Sequence, residues 1–158
     1  MSIGVRFMRE GQEDAVAAMV RALPKDLGQT VSPKITGESL RQAKDLVRVT
    51  VAEDSGLLLG CCVWMPVFST WRGAKGVYVC DLYVMSHARG RRIGERILKG
   101  VAREAKALGA TYLRLEVDEG NPRAAEFYQR LGFAKKLSEQ NHFLETVDLD
   151  ILAAGEKS

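Results

Sequence analysis

Ile3, Val5 and Phe7 alternate with small or polar neighbours, the two-residue period of a strand with one covered face. Ala15, Val16, Met19, Val20 and Leu23 then recur at helical spacing and predict a helix. Pro24 and Pro33 bracket a predicted loop, Glu38 to Asp45 reads as a short second helix, and Val47, Val49 and Val51 alternate as a strand. Asp54-Ser55-Gly56 is a turn signal, and the nearly unbroken apolar run from Leu57 to Val67 predicts a strand covered on both faces and hairpinned to its predecessor. After a loop from Ser69 to Lys75, Gly76 to Met85 is strand-like again.

Ile93, Ile97, Leu98, Val101, Ala105 and Leu108 trace one face of a long helix that ends at Gly109. Leu113, Leu115 and Val117 alternate as a strand, and Asn121-Pro122 supplies a cap and a first-turn proline for a helix to Leu131. Gly132 suits a left-handed helix end, and Phe133 to Lys136 and His142 to Ile151 predict two final strands. The order β-α-α-β-β-β-α-β-α-β-β predicts an α/β (α+β) fold: a central mixed, mostly antiparallel sheet of about six or seven strands flanked by about four helices. No repeat or low-complexity linker interrupts it, so a single domain over 1–154 with a polar tail at 155–158 is expected.

The 158 residues suffice for one domain, and 46% hydrophobic with 27% charged residues is globular composition. A net charge of +3 is too mild to imply nucleic acid, and no aromatic residue interleaves the basic run between His87 and Tyr112, so no nucleic-acid partner is expected. The three cysteines, Cys61, Cys62 and Cys80, cannot all pair, which fits a reducing compartment. Met1 to Arg9 lacks an apolar signal region and Leu57 to Phe68 is too short to cross a bilayer, so a cytoplasmic chain without membrane contact is expected.

Chemistry concentrates at Arg89-Gly90-Arg91-Arg92-Ile93-Gly94-Glu95, between a strand and a long helix, where free backbone N–H groups and the helix dipole point outward together. This is an anion cradle, although alone it equals a solvated basic helix start and matches neither the P-loop nor the GxGxxG pattern. One strand later, Asn121 to Phe133 reads NxxAxxFYxxxGF through Asn121, Ala124, Phe127, Tyr128, Gly132 and Phe133. With these two segments the chain resembles the GNAT superfamily of acetyl-CoA-dependent N-acetyltransferases, whose Gln/Arg-x-x-Gly-x-Gly/Ala motif aligns with Arg89 to Gly94. Phe68-Ser69-Thr70-Trp71 and Cys80-Asp81-Leu82-Tyr83-Val84 are similar to the YSTW and EDLYV of the spermidine/spermine and diamine branch. Cys80 stands where that branch has glutamate, and Arg92 where the superfamily has the first glycine of its phosphate loop.

The resemblance implies a role for each residue. The main chain of Leu82, Tyr83 and Val84 would pair with the pantetheine arm of acetyl-CoA, and Arg89, Gly90, Arg91, Arg92, Ile93, Gly94 and Glu95 would form the pyrophosphate site. Asn121, with Ala124 in the same motif, would contact the pantetheine arm, and Tyr128 would protonate the departing thiolate. Asp81, the remaining carboxylate of the branch motif, would bind and help deprotonate the amine beside Cys80, with Trp71 lining the acceptor pocket. A strand-end carboxylate paired to an arginine is the other reading of Asp81, and a core aromatic that of Tyr128. Trp71 could equally plug a sheet edge. Cys80 as an acyl-accepting nucleophile would need a histidine base that neither His87 nor His142 is placed to supply, and no metal site is expected from those two.

The expected function is acetyl transfer from acetyl-CoA to a primary amine of a small molecule, polyamine/diamine-like or amino-acid-like, by direct attack in a ternary complex. The alternatives are a catalytically silent CoA-binding module and an acetyltransferase for a protein or peptide amine or an aminoglycoside. The resemblance also implies a homodimer, with the strand at Asn141 to Ile151 against the partner.

Overall fold

The computed structural model describes residues 2–155 except 27 and 137, with the backbone alone at Lys25 and Asp26, and it falls into two units that meet in sequence at Asn121 and Pro122. In the first unit, β1 (Ile3–Phe7), β2 (Arg48–Asp54), β3 (Leu57–Ser69), β4 (Ala74–Val84) and β5 (Leu113–Arg114) form one sheet in the order β1-β2-β3-β4-β5. The first four are antiparallel neighbours, whereas β5 runs parallel to β4.

Alternation along β2 sorts the two faces. Val49 and Val51, with Cys61, Val63 and Tyr83, meet Val16, Met19 and Val20 of α1 (Glu13–Asp26) and Leu40 of α2 (Gly37–Gln42) in one buried cluster. Thr50, on the opposite face, accepts a hydrogen bond from the buried Trp64 Nε1 at 2.9 Å, so neither polar group is left unsatisfied under α3 (Ile93–Ala107). α3 buries Ile93, Ile97, Leu98, Val101 and Ala105 of the stripe read from its sequence, whereas Leu108 is its exposed C-cap. Each of the larger aliphatic side chains contributes about 1.5–3 kcal/mol when fully buried, so the two helical layers hold the sheet. At the β1 edge, Arg6 grips Glu53 of β2 with two contacts, Nε at 2.7 Å and Nη2 at 2.6 Å, and its hydrogen bond is the main reason that carboxyl is held below its usual range.

Three expectations are corrected. α1 continues through Pro24 to Asp26, because a proline in the last turn removes little of the helix's hydrogen bonding. Among the described residues the sheet has five strands and the chain five α-helices, instead of six or seven strands and four helices. Both final strands are absent: 133–136 forms no strand, and the segment read as His142 to Ile151 gives α5 (Thr146–Ala154). The alternation of Val147, Leu149 and Ile151 misled, because Ala153 and Ala154 favour helix and Gly155, at φ +65°, closes it. The predicted polar tail falls on Gly155 and on 156–158, which lie outside the described residues.

The second unit opens with α4 (Pro122–Arg130). Its end is a Schellman motif: Phe133 N–H donates to the Tyr128 carbonyl and Gly132 N–H to that of Gln129, both at 3.0 Å, with Gly132 at φ +101°. No described helix is long and apolar enough to cross a membrane.

The tightest backbone approach next to the end of β4 is at Gly60 of β3, where an added Cβ would stand 2.6 Å from the Tyr83 carbonyl oxygen and 3.0 Å from Ile97 Cδ1. Gly60→Ala is expected to cost about 1–3 kcal/mol and to lower the melting temperature by roughly 3–10 °C in calorimetry. An unchanged melting temperature would show that β3 and β4 are not so closely apposed.

Candidate active site

β4 is paired along its whole length on one edge only. β3 accompanies it from Ala74 to Val84, whereas β5 pairs with Val77 and Tyr78 and then diverges. Beyond Tyr78 no strand of the sheet continues alongside that edge of β4 among the described residues. Gly76 sets the branch point: its missing side chain makes room for the ring of Tyr112, whose carbonyl accepts from Val77 N–H at 3.0 Å.

The ladder slips within this stretch. Val63 faces Asp81 while Trp64 faces Val79, so Cys80 is the extra residue of a β-bulge. The bulge brings Cys80 against the α1/α2 cluster and leaves Asp81 only partly exposed. Burial pushes the Cys80 thiol up to about 11, with Asp81 adding to the shift. At pH 7 about one molecule in ten thousand would then carry a thiolate, which argues against an acyl-accepting nucleophile. Burial alone raises the Asp81 carboxyl above its ordinary value, and no ion pair or hydrogen bond of that carboxylate occurs among the described residues. The arginine-paired reading of Asp81 therefore finds no arginine. A desolvated, unpaired carboxylate in a strand bulge is an arrangement that stability alone does not explain.

Tyr78, absent from the sequence-based candidates, completes this stretch of β4. Burial raises its phenol, with Glu116 and Cys80 adding to the effect, and Arg114 stacks over its ring at 5.2 Å while pairing with Glu116 at 3.5 Å. Its signal was present, since Tyr78 precedes Cys80 by one strand period.

Past β4, a single 3-10 turn at Ser86–Ala88 leads into the basic corner. Arg89 Nε donates to the Val84 carbonyl at 3.0 Å and its guanidinium lies 5.6 Å from the centre of the Tyr83 ring, which ties the corner back to the strand. Gly90, at φ +80°, and Arg92, at φ +57° and ψ +27°, are both left-handed. Arg92 is the N-cap of α3 and places no side-chain cap on it, so the first amides of α3, at Ile93, Gly94 and Glu95, receive none from that residue. A left-handed residue directly before the right-handed first turn of α3 aims successive N–H groups towards one point, the geometry of an anion nest. Arg92 thus occupies with a side chain the conformation that a glycine would take without strain.

On the α1 side, a cavity of about 510 Å³ opens beside Tyr83 and Met85, walled by Ala15, Met19, Ala22 and Leu58. Asp81 and Tyr83 are two residues apart on one strand face, so the cavity lies on the face that carries the carboxylate. Gln12 and the Tyr83 phenol are the polar side chains in the lining, and none is charged. Trp71 is not brought here: it stands 99% exposed at the β3–β4 hairpin tip, about 23 Å along the strand from Asp81 if each of the seven residues from Ala74 adds 3.3 Å. His87 is exposed in the 3-10 turn, and no cluster of three or more His, Cys, Asp or Glu side chains able to hold a metal occurs among the described residues.

Asn121 closes the first unit, its N–H bonded to the Asp118 carbonyl at 2.9 Å. Within the second unit, Ala124 and Tyr128 share α4, and the Schellman cap explains the Gly-Phe that ends the motif. Phe133 is folded back so that its ring meets that of Tyr128 edge-on at 5.5 Å, and Phe127 does the same at 5.1 Å. Tyr128 is therefore held by two rings and is partly exposed as a residue.

The sequence pattern of the acetyltransferase (GNAT) family matches residues 12–133. The chain is 30% identical over 155 residues to the thialysine N-epsilon-acetyltransferase of Mus musculus, with 90% of each covered. It is 31% identical over 127 residues to the IAA acetyltransferase of Azospirillum brasilense, covering 78% of this chain and 80% of that one. Among solved structures, an integron cassette protein from the mobile metagenome of V. cholerae superposes with a TM-score of 0.78 at 21% identity, covering 97% of this chain and 98% of the other. The chain belongs to the acetyltransferase (GNAT) family, and its fold is the α+β fold of that family.

A left-handed L-residue costs about 1–2 kcal/mol, against roughly 0.5–1 kcal/mol of extra unfolded-state entropy for glycine. Arg92→Gly is therefore expected to stabilise the protein by about 0.5–1 kcal/mol in urea denaturation, despite removing a charged side chain. A loss of stability would contradict the strained geometry of the corner.

Proposed function

We propose that this N-acetyltransferase binds acetyl-CoA along the open edge of β4 and transfers the acetyl group to the primary amine of an amino-acid-like small molecule, as the name of its mouse relative suggests for that protein. The observation that carries the reading is the unpaired Asp81 carboxylate beside a one-sided stretch of β4 that runs directly into the anion nest. The main chain of Leu82, Tyr83 and Val84 would hold the pantetheine arm as an added strand, although the Val84 carbonyl is shared with Arg89. Gly90 to Glu95, with the side chains of Arg89, Arg91 and Arg92, would receive the pyrophosphate. Asn121 and Ala124 would complete the coenzyme site. Residues 1–154 would act as one catalytic domain.

An alkylamine with a pKa of about 10.4 is neutral once in roughly 2,500 molecules at pH 7, a handicap of about 4.6 kcal/mol before it can attack. Asp81 would bind the ammonium and accept its proton directly or through water, and burial of the carboxyl narrows the gap that this proton crosses. The amine nitrogen then attacks the thioester carbonyl, a backbone N–H of the Leu82–Val84 stretch meets the developing oxyanion, and Tyr128 protonates the leaving thiolate. The acceptor's carbon chain would lie in the apolar cavity beside Tyr83 and Met85. This favours one ammonium on a short apolar chain over a polyamine, whose further charges would meet an uncharged lining where Cys80 replaces glutamate. A homodimer in the cytoplasm belongs to the same reading, the latter supported by three free cysteines. The partner contact would not use a strand at Asn141 to Ile151, since that segment leads into α5.

A thiol-release assay over a panel of amino-acid-like amines and polyamines should show turnover for the former. Acetyl-CoA binding without release of CoA for any amine would replace this reading with a silent coenzyme-binding module. Tyr128→Phe should lower kcat by about 10²–10⁴-fold, the range for a lost general acid, and leave acetyl-CoA affinity within about twofold. Equal rates would make the phenol structural.

Asp81→Asn carries a signed pH signature. A carboxyl raised in the folded state destabilises the fold where it is ionised, so the variant should be more stable than the wild type at neutral pH. The difference should vanish as pH falls through the carboxyl's raised range. Its kcat/KM should drop at least about tenfold and lose the acid limb that the wild type shows above the usual carboxylate range. Retention of that limb would remove Asp81 from the chemistry.

A further inference from the structure

A groove of about 230 Å³ lies between β1 and the outer face of α3, walled by Val5, Arg96, Lys99 and Arg103. The three cations recur at i, i+3 and i+7, one helical face, and span about 10.5 Å along the axis. Gly100 sits behind it: an added Cβ would stand 2.7 Å from Val5 Cγ1, so the glycine lets α3 settle on β1. An Arg103 Nη atom lies 3.9 Å from that same point, so this exposed side chain runs beside Val5. It makes no ion pair or hydrogen bond among the described residues. Arg96 is fixed by its bond to the Ile3 carbonyl at 2.6 Å, and Lys99 pairs with Glu95 at 3.2 Å. Against three cations the groove thus has one carboxylate, leaving a surplus of two positive charges.

A row of like charges at these spacings weakens a helix and is usually spread by solvation. Here two guanidinium forks and an ammonium converge on a concavity too small for a drug-sized ligand, which needs about 300–1,000 Å³. Guanidinium forks match phosphate oxygens, and the surplus charge equals that of a phosphate monoester. We propose that this groove binds a phosphate monoester dianion. The phosphate could belong to a separate metabolite or be the 3′-phosphate of coenzyme A, since Arg96 lies one turn, about 6 Å, beyond the Arg92 corner. Only the coenzyme source rests on the proposed function.

Inorganic phosphate titrated at constant ionic strength and followed by 31P line broadening tests the site without turnover, so failure here and failure of the acetyltransfer reading are separable. Lys99→Gln combined with Arg103→Gln should weaken phosphate at least tenfold, while Lys106→Gln, on the same helix outside the groove, should leave it unchanged. Equal weakening by both, or no phosphate binding by the wild type at millimolar concentration, would overturn the site. Coenzyme A and its 3′-dephospho form then distinguish the source. If the double variant weakens the former alone, the site holds the coenzyme's phosphate. If it weakens neither while phosphate binding is lost, the site serves a separate phosphate ester.

Discussion

The candidate site depends on β4 having a partner strand on one side and none on the other beyond Tyr78. Main-chain N–H and C=O groups are obligatory hydrogen-bonding groups, so a central strand that loses a neighbour halfway must present them to something else. β5 is two residues long, and the Tyr112 ring over Gly76 marks where it departs. An extended polar ligand can continue the sheet where β5 leaves off, and the corner that follows is shaped for the charge at that ligand's end.

Several local arrangements at this site disfavour stability. Asp81 is desolvated without a counter-charge, Cys80 interrupts the ladder, and Arg92 holds a left-handed backbone. Such features persist where surrounding structure over-determines them, and here the support is plain. The α1/α2 cluster lies on one face of β4 and α3 on the other, while Arg89 fastens the corner to Val84. Tyr128 follows the same logic within α4, where Gly132 permits the turn that brings Phe133 back on to the phenol ring.

Most of this was legible before the structure. The α3 stripe, the paired β2 and β3, the turn at Asp54 to Gly56 and the cap at Gly132 follow from periodicity and turn chemistry, which act locally. The bulge at Cys80 was not legible, because a register slip depends on the partner strand, whereas Tyr78, one strand period earlier, was legible and was overlooked. The segment from Val147 to Ile151 carries a true strand alternation, yet its fate was decided by Ala153, Ala154 and Gly155 downstream. The left-handed backbone at Arg92 was hidden by its residue type, which seldom adopts it. Trp71 shows the converse: motif spacing suggested a pocket, and the hairpin carried it into solvent.

Amide hydrogen exchange with and without saturating acetyl-CoA tests the central claim most directly, because it reads main-chain groups one stretch at a time. The account predicts slowed exchange at 82–84 and at 90–95, with the β1–β2 ladder unaffected. Coenzyme binding that leaves both stretches exchanging at their free rates would contradict it.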